Sequence, residues 1–184
     1  MMKMSYKIKP DDKILFLDYD GVVNGLSNRN EKDYLEHLDT EYERNEFIHD
    51  YFFDFNDKLS CMTAFDNLCI SKLNEIVKRT NCKIVISSSW GMKIGLTNNM
   101  ILLALAGFKY PLNVIGNLEY NIKLKLGESI EKYIEDNNIH KFIIIDDEER
   151  DFKERFNEHE FYRVKDGLLD EDVERISEVL NSVN

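Results

Sequence analysis

The chain is poor in residues that break or staple a fold. It has 2 prolines and 8 glycines among 184 residues, too few for long linkers or low-complexity segments, and no internal repeat is visible. Its 3 cysteines, Cys61, Cys69 and Cys82, are odd in number and lack CxxC spacing, which predicts reduced thiols that mostly serve packing. No apolar run reaches membrane-spanning length, and the polar start Met1–Lys7 leads into no apolar signal core. A soluble, cytoplasmic protein without membrane contact is therefore expected. Positive charge is also scarce: 24 Lys+Arg face 35 Asp+Glu, a formal net charge of -11. Such a surface repels phosphate backbones at long range, so unspecific duplex binding is not expected. A local pocket for one phosphoryl group is not excluded, and acidity suits recruitment of a divalent cation. The 4 histidines have no ligand spacing to one another and read as surface or structural residues.

What is present is an ordinary soluble balance, 43% hydrophobic and 32% charged, enough for one domain over residues 1–184 with a real core. The chain is organised around Lys13–Val23. Ile14 to Leu17 form an unbroken apolar run, suited to a parallel strand buried on both faces. Asp18 and Asp20 follow with one residue between them, so a continued strand would turn both carboxylates into one space. Gly21 then lets the backbone turn away. Two anions placed together need a cation or a shared proton.

Residues 24–63 are polar and acidic, too long for a plain crossover, and read as an insertion over the end of this strand. The aromatics Tyr51–Phe55 either anchor it to the body or form a small lid. Ala64–Thr80 has helical periodicity, with Lys78 and Arg79 at its C-terminal end. A second buried strand, Lys83–Ile86, runs into Ser87-Ser88-Ser89-Trp90. Serines at the C-terminal end of a parallel strand lie where such folds bind ligands, and neutral donors suit phosphate oxygens. The alternative is an N-cap for the next helix. Met92–Ala106 reads as one helix and Asn113–Gly116 as a short strand. Lys123 and Lys125 precede a helix running to Asn137. Phe142–Ile145 marks a central strand, again ending in paired carboxylates, Asp146 and Asp147, with Asp151 shortly after. Phe161–Val164 is an edge-strand candidate, and Asp170 is expected to cap a final helix.

Asp18-Tyr19-Asp20-Gly21 behind an apolar strand resembles the first motif of the haloacid dehalogenase (HAD) superfamily of phosphohydrolases. The stretch from Phe65 through Lys83-Ile84-Val85-Ile86-Ser87-Ser88-Ser89-Trp90 is similar to the branch that includes phosphatase-like domains of RNA-repair proteins. Members of that branch usually carry Arg directly after the Trp. Here that residue is Gly91, and Lys93 is the nearest basic side chain that follows.

The resemblance implies a Rossmann-like three-layer α/β sandwich with a parallel sheet and a small insertion after the first strand. It implies Asp18 as nucleophile and Asp20 as general acid/base. A hydroxyl from Ser87, or from Ser88 in the alternative register, and a lysine, Lys125 or alternatively Lys123, complete the catalytic set. Ser88 and Ser89 would add donors to the substrate phosphate. Mg²⁺ is the implied cofactor, with Asp18, Asp20, Asp146 and Asp147 as its residues; Asp146 would be the direct ligand from the last strand, while Asp147 and Asp151 act through water or orient the loop. The implied activity is a Mg²⁺-dependent phosphatase working through an aspartyl-phosphate. Its substrate is a small phosphate monoester, a nucleotide or a single-stranded nucleic-acid end. A phosphoacceptor-type or catalytically idle Mg²⁺/phosphate-binding regulatory domain is the alternative.

Overall fold

The computed structural model describes residues 6–24, 65–89, 91–119 and 121–182. The expected insertion, apart from Asn24, lies outside them, as do Trp90 and the Tyr51–Phe55 aromatics. Among the described residues five strands form one parallel sheet: β1 Lys13–Leu17, β2 Lys83–Ile86, β3 Val114–Asn117, β4 Lys141–Asp146 and β5 Phe161–Arg163, in the order β3-β2-β1-β4-β5. The chain is a Rossmann-like α/β sandwich, as its apolar runs predict. The helices are α1 Asn67–Thr80, α2 Gly91–Ile94, α3 Leu96–Leu105, α4 Leu126–Asp136 and α5 Asp170–Asn181.

Strand alternation divides the core into two layers. Leu15, Leu17, Ile84, Ile86, Ile143 and Ile145 pack with α1, α3 and α5 through residues such as Leu73, Leu102 and Ile176. On the other face, Ile14, Phe16, Val85 and Ile144 pack against Ile130 of α4 and against Phe152 and Phe161. Ile14 to Leu17 are fully buried, which is why these strands read as unbroken apolar runs rather than alternating ones. Each such side chain contributes about 1.5–3 kcal/mol through burial, so the centre of the sheet is a main source of the fold's stability.

The element boundaries differ from the sequence expectation where local chemistry overrides periodicity. Helix α1 starts only at Asn67, because the Asp66 carboxylate caps it by accepting from the Leu68 and Cys69 N–H groups at 2.7 and 3.4 Å. Asn81, at φ 54°, closes its other end. The single helix expected over Met92–Ala106 is two, broken at Gly95, whose φ of +80° lies outside helical space. Asp170 does not cap α5. It is the first helical residue, and the Asp172 carboxylate reaches back to accept from the Leu169 N–H at 2.6 Å. Cys69 and Cys82 are buried free thiols. No helix among the described residues is long and apolar enough to cross a membrane.

Candidate active site

Sheet register assembles the site. Leu17, the last residue of β1, pairs with Ile86 of β2 on one side and Ile145 of β4 on the other. One step further, the Asp18 N–H donates to Ile145 O (3.2 Å) and the Ser87 N–H to Leu17 O (2.9 Å). Asp18 therefore stands between Ser87 and Asp146 at the C-terminal edge of the three central strands, where ligands of open α/β sheets bind. Register also separates the two serines: Ser87 is the residue beside Asp18, and Ser88 is the next one along the chain. Both hydroxyls are buried and, among the described residues, have no hydrogen-bond partner, which leaves them available to a ligand or a water. Ser89 is exposed.

Beyond Asp18 the chain turns sharply. The N–H groups of Val22, Val23 and Asn24 all point to Tyr19 O, and Gly21 adopts φ +68°. A Cβ at Gly21 would stand 2.4 Å from Asp147 Oδ2, so glycine serves both the turn and the close approach of that carboxylate. The main-chain carbonyl of Asp147 accepts from Arg163 Nε at 2.8 Å, which fixes the loop after β4. Asp18, Asp146 and Asp147 each offer a carboxylate oxygen within 4.8 Å of the others. Asp20 lies outside this trio; its half-buried carboxylate accepts from Asn24 Nδ2 at 2.6 Å, although its charge still acts on Asp18.

The trio is electrostatically strained. Burial, followed by the Asp146 carboxylate, pushes the Asp18 carboxyl up to about 8. Burial likewise pushes Asp146 up, to about 6, against the pull of the Glu148 N–H and Arg150. Hard oxygen donors crowded together and short of positive charge are what a divalent cation such as Mg²⁺ relieves, so the donor set fits a metal. Asp151 is the opposite case. It accepts from the Gly127 N–H and from Arg155 Nε, both at 2.9 Å, and these bonds hold it below the usual carboxylate range despite burial. It is not one of the converging carboxylates; it ties the start of α4 to the loop after β4. Lys125 stands at that helix start as the residue preceding Leu126, and both it and Lys123 are exposed.

Two features escaped the sequence reading. Arg150 reaches Asp146, yet a lone arginine within Asp-Glu-Glu-Arg-Asp reads as a solvated ion-pair partner, and nothing in the sequence distinguishes it. The other is the space at Gly91. A Cβ there would meet Ile86 Cγ2 at 2.6 Å and Tyr19 Cε2 at 2.9 Å, so these buried side chains or the Gly91 backbone would have to shift to admit an arginine. The Tyr19 hydroxyl donates to Asn99 Oδ1 (2.9 Å) and Asn99 Nδ2 donates to Gly91 O (2.8 Å). This buried link joins the turn after β1 to the segment after the serines.

Comparison with known proteins gives one match. A family model described as the HAD domain in Swiss Army Knife RNA repair proteins matches residues 14–173. That span holds every residue discussed above as part of the site. No curated protein and no solved structure matches the chain.

Proposed function

The chain belongs to the family of HAD domains in Swiss Army Knife RNA repair proteins, and on that premise we propose that it is a Mg²⁺-dependent phosphohydrolase acting through an aspartyl-phosphate on Asp18. The observation that carries this reading is the placement of Asp18 between an unpartnered Ser87 hydroxyl and the Asp146 and Asp147 carboxylates. Asp18, Asp146 and Asp147 would hold the cation, with the main-chain carbonyl of Asp20 as a further oxygen. Once bound, Mg²⁺ supplies the positive charge that lets an anionic nucleophile approach an anionic phosphate.

A carboxylate oxygen of Asp18 attacks phosphorus in line, forming the acyl phosphate and breaking the bond to the leaving oxygen. Asp20 gives that oxygen a proton, then takes one from the water that hydrolyses the acyl phosphate and regenerates Asp18. Its bond to Asn24 keeps the carboxylate near the site rather than free in solvent. Ser87 donates to a non-bridging oxygen, with Ser88 and Ser89 as further donors. Lys125, carried on the helix start that Asp151 pins, offsets charge on the phosphoryl group.

The substrate class that fits is a phosphate monoester of a small metabolite, a nucleotide or a single-stranded nucleic-acid end. An acidic chain of net charge -11 disfavours wide contact with a duplex. Family membership points the same way, toward the end of a nucleic acid rather than its length. The test is turnover of p-nitrophenyl phosphate with and without Mg²⁺, followed by a panel of phosphorylated metabolites and 3′-phosphorylated oligonucleotides. Metal-dependent release of phosphate supports the reading. Its absence across the panel favours an idle regulatory domain.

A further inference from the structure

A cation already stands at the acidic edge. Arg150 Nε lies 3.2 Å from Asp146 Oδ2 and 3.4 Å from Oδ1, and its Nη2 lies 3.3 Å from Glu148 Oε2. Among the described residues Nη1 donates to no protein group. Asp146 and Arg150 are four residues apart, the spacing of a helical ion pair, yet no helix connects them. The contact exists because Arg150 itself adopts φ +40°, a conformation disfavoured for any residue with a Cβ. That turn folds the guanidinium back over the strand end. Its field also reaches Asp18; the residue is exposed overall and its side chain 32% exposed, so the guanidinium lies at the solvent-facing rim of the acidic edge.

A divalent cation on Asp146 would repel a guanidinium sharing the same carboxylate. The turn at Arg150 would still keep the freed side chain beside the edge where Asp18 and the unpartnered Ser87 hydroxyl meet. A planar fork with unused donors is matched to the oxygens of a phosphoryl group. We propose that Arg150 is a phosphate ligand of this site, held on Asp146 as a counter-ion until a divalent cation takes that carboxylate and releases the guanidinium to the phosphoryl oxygens. The inference rests on the phosphohydrolase reading above and adds a donor to those expected from Ser87 and Lys125. It couples metal loading to phosphate binding through one side chain.

The test is calorimetric titration of the full chain, first with MgCl₂ and then with inorganic phosphate, for the wild type, Arg150→Gln and Arg150→Lys. Wild type is expected to bind phosphate about tenfold or more tightly with Mg²⁺ than in chelator. Arg150→Gln should bind Mg²⁺ as well as wild type or better, since a competing charge on Asp146 is gone. It should lose about tenfold or more of the Mg²⁺-dependent phosphate affinity. Arg150→Lys keeps charge without the fork and should fall between. Phosphate affinity unchanged in Arg150→Gln would overturn the inference, as would a parallel loss of Mg²⁺ and phosphate binding, which assigns Arg150 only to ordering Asp146. If Arg150→Gln does not fold, Arg150→Lys decides: full phosphate affinity overturns the proposal, and reduced affinity with normal Mg²⁺ binding sustains it. A wild type that binds no Mg²⁺ and hydrolyses no p-nitrophenyl phosphate ends the phosphohydrolase reading and this inference together. Normal turnover with unchanged phosphate binding in the variants ends this inference alone.

Discussion

The two ends of the same three strands are built on opposite terms. At the N-terminal end, β1, β2 and β4 each begin with lysine: Lys13, Lys83 and Lys141. Each is matched by a neutral partner. Lys13 Nζ donates to Asn181 Oδ1 at 2.7 Å, Lys141 Nζ donates to Ser182 O, and Lys83 Nζ lies 5.5 Å from the centre of the Tyr6 ring. At the C-terminal end the same strands deliver Asp18, Ser87 and Asp146, two carboxyls pushed up by burial and a hydroxyl with no partner. A fold under selection for stability alone would not leave one end of its central strands satisfied and the other in deficit. Two raised carboxyls and unpartnered hydroxyls gathered at one sheet edge are the pattern expected of a functional site.

The largest test of that contrast is Asp18→Asn. It should abolish turnover, because an amide cannot act as the nucleophile; activity within about tenfold of wild type, roughly 1.4 kcal/mol in barrier, contradicts the role. Next comes Asp146→Ala, which removes one of three converging carboxylates and should raise the Mg²⁺ concentration needed for half-maximal activity, read from a metal titration. An unchanged requirement would take Asp146 out of the metal set.

A third test is thermodynamic and needs no substrate. The folded Asp18 carboxyl titrates above its ordinary value of 3.8, so its contribution to stability is complete below about pH 4. That contribution is lost as pH rises toward about 8, because the folded state holds a proton that the unfolded chain has released. Melting temperature in chelator should therefore fall across this window. Asp18→Asn should flatten the slope, and Mg²⁺ should restore stability at the upper end. Identical slopes in wild type and Asp18→Asn would remove the strain argument. The smallest effect belongs to the other end of the sheet. Lys83→Ala should cost about 0.5–1 kcal/mol from the lost contact with Tyr6 and leave turnover unchanged. A loss of activity there would dissolve the distinction between the two ends.

Much of this was legible in the sequence because the informative residues are local. The apolar runs Ile14–Leu17 and Phe142–Ile145 declare parallel strands, and the acids and serines that close the strands lie within one or two residues. The register between strands explains why those short motifs meet, and it favours Ser87 over Ser88 as the neighbour of Asp18. What was not legible depends on distant or backbone-specific contacts. Asp151 serves Gly127, far away in sequence, so the sequence left open whether its carboxylate reaches the metal through water or orients the loop. Arg150 matters only through a left-handed turn that an arginine does not advertise. Gly95 breaks a helix that its apolar neighbours would otherwise continue.

The central claim, that Asp18 carries the phosphoryl group, can be tested directly by mass analysis of protein quenched in acid during turnover with Mg²⁺. The account predicts a phosphoryl adduct on the peptide containing Asp18, absent from Asp18→Asn. Turnover with no adduct there, or with the adduct on another peptide, would contradict it.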